Sequence, residues 1–290
     1  MSPLRIHFLG TSAFAVSSLR ALAGDKGFQI ECVWTQPDRP VGRKQELTAP
    51  PIKDIALELG IPVMQPEKIA QLSTIHSPLS SSFDFLVVVS YGQILTQAIL
   101  DAATIAPVNV HASLLPRWRG ASPIQHAILG GDSETGVTIQ RMVKELDAGP
   151  ILAQEKTSIG PCETATTLHD RLADMGAELL LKTLKAPLKE KTQDESLVTL
   201  CKKLTRESGT ADLALTAEEI DRHVRALTPW PGVAITIGSQ TVKLLETSLD
   251  AAQGSAPLPC GKGSILHLVR VQIPGGKPIT GAEWARGQKK

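Results

Sequence analysis

In the stretch NVHASLLPRWRGASPIQ an amide and an imidazole, Asn109 and His111, stand two residues apart at the end of a short apolar run. A strand sends alternate side chains to the same side, so both point one way. An imidazole titrating at about 6.5 passes a proton in either direction around neutrality, and an amide offers N–H donors without changing charge. Such a pair lacks a carboxylate to orient the ring. Asp147, in the loop KELDAGPI and followed by Ala148-Gly149-Pro150, is the best-placed acid. No nucleophile accompanies them: a GxSxG elbow is absent, and Ser122-Pro123-Ile124-Gln125 reads as the N-cap, first-turn proline and capping-box partner of a helix. An amide, a histidine and an acid without a covalent nucleophile or a metal suit direct attack of one bound substrate on the carbonyl of another, that is, acyl transfer. A histidine after a strand and an aspartate before a glycine are also ordinary turn chemistry. The chemical reading stands beside that plain one.

The elements around these residues follow a βα alternation. LRIHFLG is a short strand, FAVSSLRALAG a helix, IECVWT a second strand, IKDIALELG an amphipathic helix ended by Gly60, and FDFLVVVSYG a third strand that is apolar on both faces. QILTQAILDAA follows as helix, and PVNV is a fourth strand running into His111. The series predicts an open, parallel-rich sheet of α/β class, whose strand ends face a crevice where ligands bind. After Gly136 two strands, TGVTIQRMV and PILAQEKTSI, and a long helix, ETATTLHDRLADMGAELLLKTLK, complete a domain over residues 1–187. Residues 188–206 are polar and Lys-rich, as in a linker. In 207–290 a capping box, Thr216 to Glu219, opens one helix, and short strands between Gly and Pro turns predict a small β-barrel or sandwich.

Composition removes several classes. With 42% hydrophobic and 20% charged residues the chain is an ordinary globular sequence. No apolar run reaches the roughly 20 residues needed to cross a bilayer, and the start lacks a secretory signal pattern, so a cytoplasmic protein without membrane contact is expected. The cysteines Cys32, Cys162, Cys201 and Cys260 have neither zinc spacing nor a disulfide framework. One glycine, Gly10, follows the first strand where a dinucleotide fingerprint needs three, which disfavours nicotinamide chemistry. A net charge of +1 gives no global pull toward nucleic acid, so any polyanion must meet a local patch.

Taken together, NVHASLLPRWRGASPIQHAILGGD, TGVTIQRMV and LDAGPILAQ, with QPDRPVGR upstream and TPWPG downstream, resemble the methionyl-tRNA formyltransferase family in order over nearly the whole chain. The resemblance implies a Rossmann-like formyltransferase domain followed by a small OB-like β-barrel. It implies a catalytic trio of Asn109, His111 and Asp147, and a site for 10-formyltetrahydrofolate at Ser113, Leu114, Leu115 and Pro116 together with the backbone of Val89, Tyr91 and Gly92. No metal is implied. The acceptor would be the α-amine of initiator methionyl-tRNA, and the protein would be a monomer.

In that family the loop written here QPDRPVGRKQELTAPPIK enters the acceptor-stem region, which implies phosphate contacts by Arg39, Arg43 and Lys44. Arg222, Arg225, Lys243, Lys262, Arg270 and Lys277 are further basic positions in the C-terminal part, although solubility explains many such charges. Three rivals share some of these features: a folate-dependent N-formyltransferase acting on a sugar-nucleotide or other small amine, a hydrolase delivering the formyl group to water, and a non-catalytic tRNA- or folate-binding protein.

Overall fold

The structure, a computed structural model, describes residues 2–42, 44–71, 79 and 81–288. In chain order the elements are β1 (Leu4–Gly10), α1 (Phe14–Ala23), β2 (Phe28–Trp34), β3 (Arg39–Val41), β4 (Glu46–Thr48), α2 (Pro51–Glu58), β5 (Val63–Met64), β6 (Phe83–Val89), α3 (Gln97–Leu100), β7 (Ala103–His111), β8 (Arg119–Gly120), α4 (Pro123–Leu129), β9 (Glu134–Arg141), β10 (Ile151–Ser158), α5 (Ala165–Leu184) and β11 (Leu200–Cys201). Then come β12 (Thr210–Ala211), α6 (Ala217–Leu227), β13 (Val233–Ile237), β14 (Gln240–Ser248), β15 (Ala256–Pro259), β16 (Ile265–Gln272), β17 (Ile279–Thr280) and α7 (Gly281–Gly287). They form two compact units, one of Met1–Gly120, Thr135–Thr157 and His169–Leu200, the other of Ala121–Glu134, Ser158–Leu168 and Cys201–Lys290.

The first unit is built on a seven-stranded sheet in the order β10-β9-β7-β6-β1-β2-β5. Strands β1, β2, β5, β6 and β7 run parallel, and β9 pairs antiparallel with β7. The sheet is buried on both faces, which is why FDFLVVV carries no polar alternation. From β1 the chain winds outward to β2 and β5, then returns to the other side of β1 for β6 and β7. The strand ends at this reversal, Gly10 and Val89, are hydrogen-bonded neighbours. A Cβ on Gly10 would lie 2.8 Å from Phe8 and 2.9 Å from Ala15, so this glycine lets α1 pack close to the strand rather than marking a nucleotide site.

Three elements differ from the expectation. The helix expected over QILTQAILDAA is only the four residues of α3, and β7 starts at Ala103 rather than at Pro107. The β-branched Thr104 and Ile105 extend the strand along β6, and the Thr104 hydroxyl donates to the Phe83 carbonyl at 2.9 Å. At α4, Ser122 is the N-cap and Pro123 opens the helix, but the serine side chain makes no cap hydrogen bond and the expected capping box with Gln125 does not form. Instead the Ser122 carbonyl is met by the His126 ring at 2.8 Å.

The second unit holds a six-stranded, mostly antiparallel sheet, β12-β13-β14-β16-β15 with β17 on β16. Its strands alternate buried and exposed residues, as in Val242 and Leu244 of β14 and Leu266 and Leu268 of β16, so one face is apolar. Helix α6 opens with the expected capping box: the Thr216 hydroxyl accepts from Glu219 N at 3.3 Å, and the Glu219 carboxylate accepts from Thr216 N at 2.7 Å.

Candidate active site

The register of β7 on β9 sets Asn109 opposite Gln140 and His111 opposite Thr138. Directly paired residues share a face, so four polar side chains gather on one side of two central strands. Asn109 is half-buried, while His111, Thr138 and Gln140 are buried.

The His111 ring is held from both sides. Its Nε2 lies 2.9 Å from the Trp118 carbonyl, which can only accept, so that nitrogen carries hydrogen. Its Nδ1 faces Asp147 Oδ1 at 3.7 Å. With its Nε2–H spent on that carbonyl, Nδ1 is the ring nitrogen left facing the carboxylate.

The Asp147 carboxylate is fixed by two hydrogen bonds. Its Oδ2 accepts from Gly120 N at 2.9 Å and its Oδ1 from the Gln140 amide at 3.1 Å. Its backbone is left-handed, with φ of +52°, a conformation aspartate tolerates better than most residues. Gly149 is required next to it, since a Cβ there would fall 1.8 Å from the Arg141 carbonyl. Trp118 is likewise left-handed at φ +59°, which costs a bulky residue about 1–2 kcal/mol. The strained carbonyl is the one that receives His111. Asn109, by contrast, has a carboxamide free of hydrogen bonds among the described residues.

The SLLP turn beside the trio is rigid. Thr138 Oγ1 donates to the Ser113 carbonyl at 2.7 Å and accepts from Leu115 N at 3.1 Å, and Gln154 reaches the Leu115 carbonyl at 2.8 Å. Ser113 Oγ donates to the Arg117 carbonyl at 2.6 Å. Leu115 is buried, with Leu114 and Pro116 half-buried. After β6, Ser90 at φ +49° and Gly92 at φ +85° turn the chain. Val88 pairs with Asn109, so Val89 and this turn lie next to the trio's strand end. The Tyr91 carbonyl accepts from Thr11 Oγ1 at 2.8 Å and from Gln36 at 3.2 Å. Its phenol is buried without a hydrogen-bond partner and is pushed up to about 12 by burial, so Tyr91 offers backbone rather than hydroxyl chemistry.

The basic loop is a β3–β4 hairpin, and no hydrogen bond or ion pair joins Arg39 or Lys44 to the trio. Arg39 pairs with Glu67 at 2.6 Å, Lys44 is exposed 4.0 Å from Glu46, and Arg43 lies outside the described residues. Asp38 and Lys53, which flank the hairpin, pair at 2.7 Å. Gln65 donates to Asp38 and to the Gln36 carbonyl, and with Lys53 it holds the Asp38 carboxyl below its usual range.

Sequence reasoning missed Thr138, Gln140, Trp118, Gly120 and Gln193 as supports of the site. Polar residues inside the buried strand TGVTIQR were a usable signal for the first two. The others act through backbone groups or across long sequence separations, where spacing says nothing.

Residues 4–184 match the family model described as formyl transferase, and residues 203–289 the model of the formyl transferase C-terminal domain. Proteins named methionyl-tRNA formyltransferase are similar over nearly full length. That of Stutzerimonas stutzeri is 42% identical over 292 residues, covering 96% of this chain and 92% of the relative, and that of Gluconobacter oxydans is 41% identical over 297 residues, covering 98% and 97%. Among solved structures, an N-formyltransferase from Helicobacter canadensis, in complex with folinic acid and dTDP-3-aminofucose, shares the fold with a TM-score of 0.67 at 17% identity, covering 91% of this chain and 98% of that one. A sugar 3N-formyl transferase, WlaRD, aligns with a TM-score of 0.68 at 18% identity, covering 94% and 99%. With both family models matched in order and relatives above 40% identity along its length, the chain belongs to the formyl transferase family.

Proposed function

We propose that this chain is a methionyl-tRNA formyltransferase, moving the formyl group of 10-formyltetrahydrofolate onto the α-amine of initiator methionyl-tRNA. The observation that carries the reading is the His111–Asp147 pair beside the free Asn109 amide, next to a rigid turn able to wall a flat cofactor. The folate co-substrate supplies the formyl carbon on N10. Ser113 to Pro116 and the backbone of Val89, Tyr91 and Gly92 hold its pterin. This fits a turn braced by Thr138 and Gln154, because a preorganised backbone cradle costs little to order on binding.

The attacking nitrogen forms a bond to the formyl carbon, the bond to N10 breaks, and one proton passes from the first nitrogen to the second. An α-amine titrates at about 7.7–8 and lower when its carboxyl is esterified, so it needs no strong base. Charge develops on the formyl oxygen, and the free Asn109 N–H donors receive it. His111 contributes its positive charge at close range, balanced by Asp147. Its Nε2–H is engaged by Trp118 in this structure, so a proton relay to N10 involves its release from that carbonyl. Arg39, Arg43 and Lys44 meet acceptor-stem phosphates, and basic residues of residues 207–290 add further contacts.

We place the protein in the cytoplasm as a monomer; no described helix is long and apolar enough to cross a membrane. The test is acceptor competition. With 10-formyltetrahydrofolate, charged initiator tRNA should be formylated far faster than charged elongator tRNA or a sugar-nucleotide amine, with one tetrahydrofolate released per formyl group transferred. Preferred formylation of the sugar nucleotide, release of free formate, or stoichiometric binding without product would each point to one of the rivals.

A further inference from the structure

His111 and Asp147 belong to separate segments, yet they stand 3.7 Å apart. Each is held by backbone of the short run Trp118–Gly120: the Trp118 carbonyl receives His111, and Gly120 N–H donates to Asp147. Between those residues lies Arg119, whose guanidinium is buried. Its Nε donates to Gln193 Oε1 at 3.0 Å, and its two terminal nitrogens meet Glu195 at 3.2 and 2.7 Å. Gln193 is itself buried, and its amide nitrogen donates to the carbonyls of Asp147 and Gly149, at 2.8 and 2.7 Å. One amide therefore joins the run that holds the histidine to the turn that carries the acid. Thr199 ties the same run from the other side, through Trp118 N at 2.8 Å and Arg119 N at 2.9 Å.

We propose that Gln193, oriented by Arg119, is a positioning residue that sets the separation and aim of the Asp147 carboxylate on the His111 ring. The inference rests on the proposed formyl transfer at this site. Gln193 spans the carbonyls of Asp147 and Gly149, and so clamps the turn that directly follows a left-handed aspartate. Its polar atoms are all used, and a group of its size with two N–H donors and one acceptor is what the three partners require. It touches no reacting atom, so its effect on turnover must run through Asp147.

A double-mutant cycle on the intact chain separates this from a general structural role. Gln193→Glu keeps the volume and the acceptor for Arg119 but removes both donors to the turn. Single-turnover formyl transfer to the acceptor that the wild-type protein prefers should slow tenfold or more, with folate affinity within threefold. In an Asp147→Ala background the same change should alter the rate by less than twofold. An equal penalty in both backgrounds, or a single-variant rate within twofold of wild type, overturns the proposal. If Gln193→Glu does not fold, Arg119→Lys, which removes the N–H held by Gln193, goes through the same cycle under the same criteria. Because the cycle uses whichever amine the wild type formylates, its failure is distinct from failure of the methionyl-tRNA assignment, which the acceptor competition reads separately.

Discussion

His111 and Asp147 show how a few directed hydrogen bonds define a reactive pair. The ring is bonded through Nε2 to the Trp118 carbonyl and faces the carboxylate through Nδ1 at 3.7 Å, and the carboxylate has a backbone and a side-chain donor on its two oxygens, so neither group is free to turn away. Thr138 performs the matching task for the SLLP turn proposed to hold folate. Thr138→Val keeps the shape but removes the hydroxyl between the Ser113 carbonyl and Leu115 N. It should raise the KM for 10-formyltetrahydrofolate about tenfold, as expected for a lost buried hydrogen bond of roughly 1–1.5 kcal/mol, with kcat within threefold. Steady-state kinetics with saturating acceptor read this, and an unchanged KM would detach the turn from folate binding. Asn109, His111 and Asp147 were legible in the sequence because period-two geometry and turn chemistry are local. Gln193 was not, because it becomes meaningful only through a partner 46 residues away, placed by the fold.

At the scale of elements, strands β1 and β2 carry a buried titratable group. His7 accepts from the Trp34 indole at 3.0 Å and stacks edge-on against Phe83 with ring centroids 4.5 Å apart. Burial, opposed in part by Glu31, lowers its pKa to about 4. An unfolded histidine titrates at about 6.5, so as pH falls from 6.5 toward 4 the unfolded chain takes up a proton that the folded chain refuses. Stability present above pH 6.5 should be lost across that window, by up to about 3 kcal/mol, and should level off below it. Denaturant titrations from pH 7 to 4 should show this loss in the wild type and a shallower slope in His7→Leu; parallel slopes would remove His7 as the cause. Helix α5 lies against β7 and β9 at Gly176, where a Cβ would stand 2.9 Å from Val110 and 3.4 Å from Val137. Gly176→Val should therefore cost about 1–3 kcal/mol by overpacking between stiff side chains, seen as a lowered Tm; an unchanged Tm would mean that the helix shifts freely on β7 and β9. The strands and long helices were readable from periodicity. The shortness of α3 and the pairing of β8 with β11 were not, since both depend on where β6 and the segment before β11 lie in space.

For the whole molecule, a net charge of +1 means that a tRNA has to be held locally. Arg39 is engaged by Glu67 and Arg225 by Asp221 at 2.7 Å, which leaves Lys44 among the exposed cations of the implied set. With about three phosphate contacts, the logarithm of the KM for tRNA should rise with the logarithm of salt concentration with a slope of roughly 2–3. Lys44→Ala should lower that slope by somewhat under 1, whereas a slope near 10 would require a far wider basic surface. The fold class was visible in the order of strands, helices and turns. The inclusion of residues 121–134 and 158–168 in the second unit was not, because compactness is a property of contacts rather than of chain order. Whether Asn109, His111 and Asp147 act as one centre for formyl transfer is read by rapid-quench single turnovers with enzyme in excess, on wild type, His111→Ala and Asp147→Ala. Chemistry should slow a hundredfold or more in both variants, with folate affinity within a few fold; transfer at near-wild-type rate in either would mean that the three residues are not one centre.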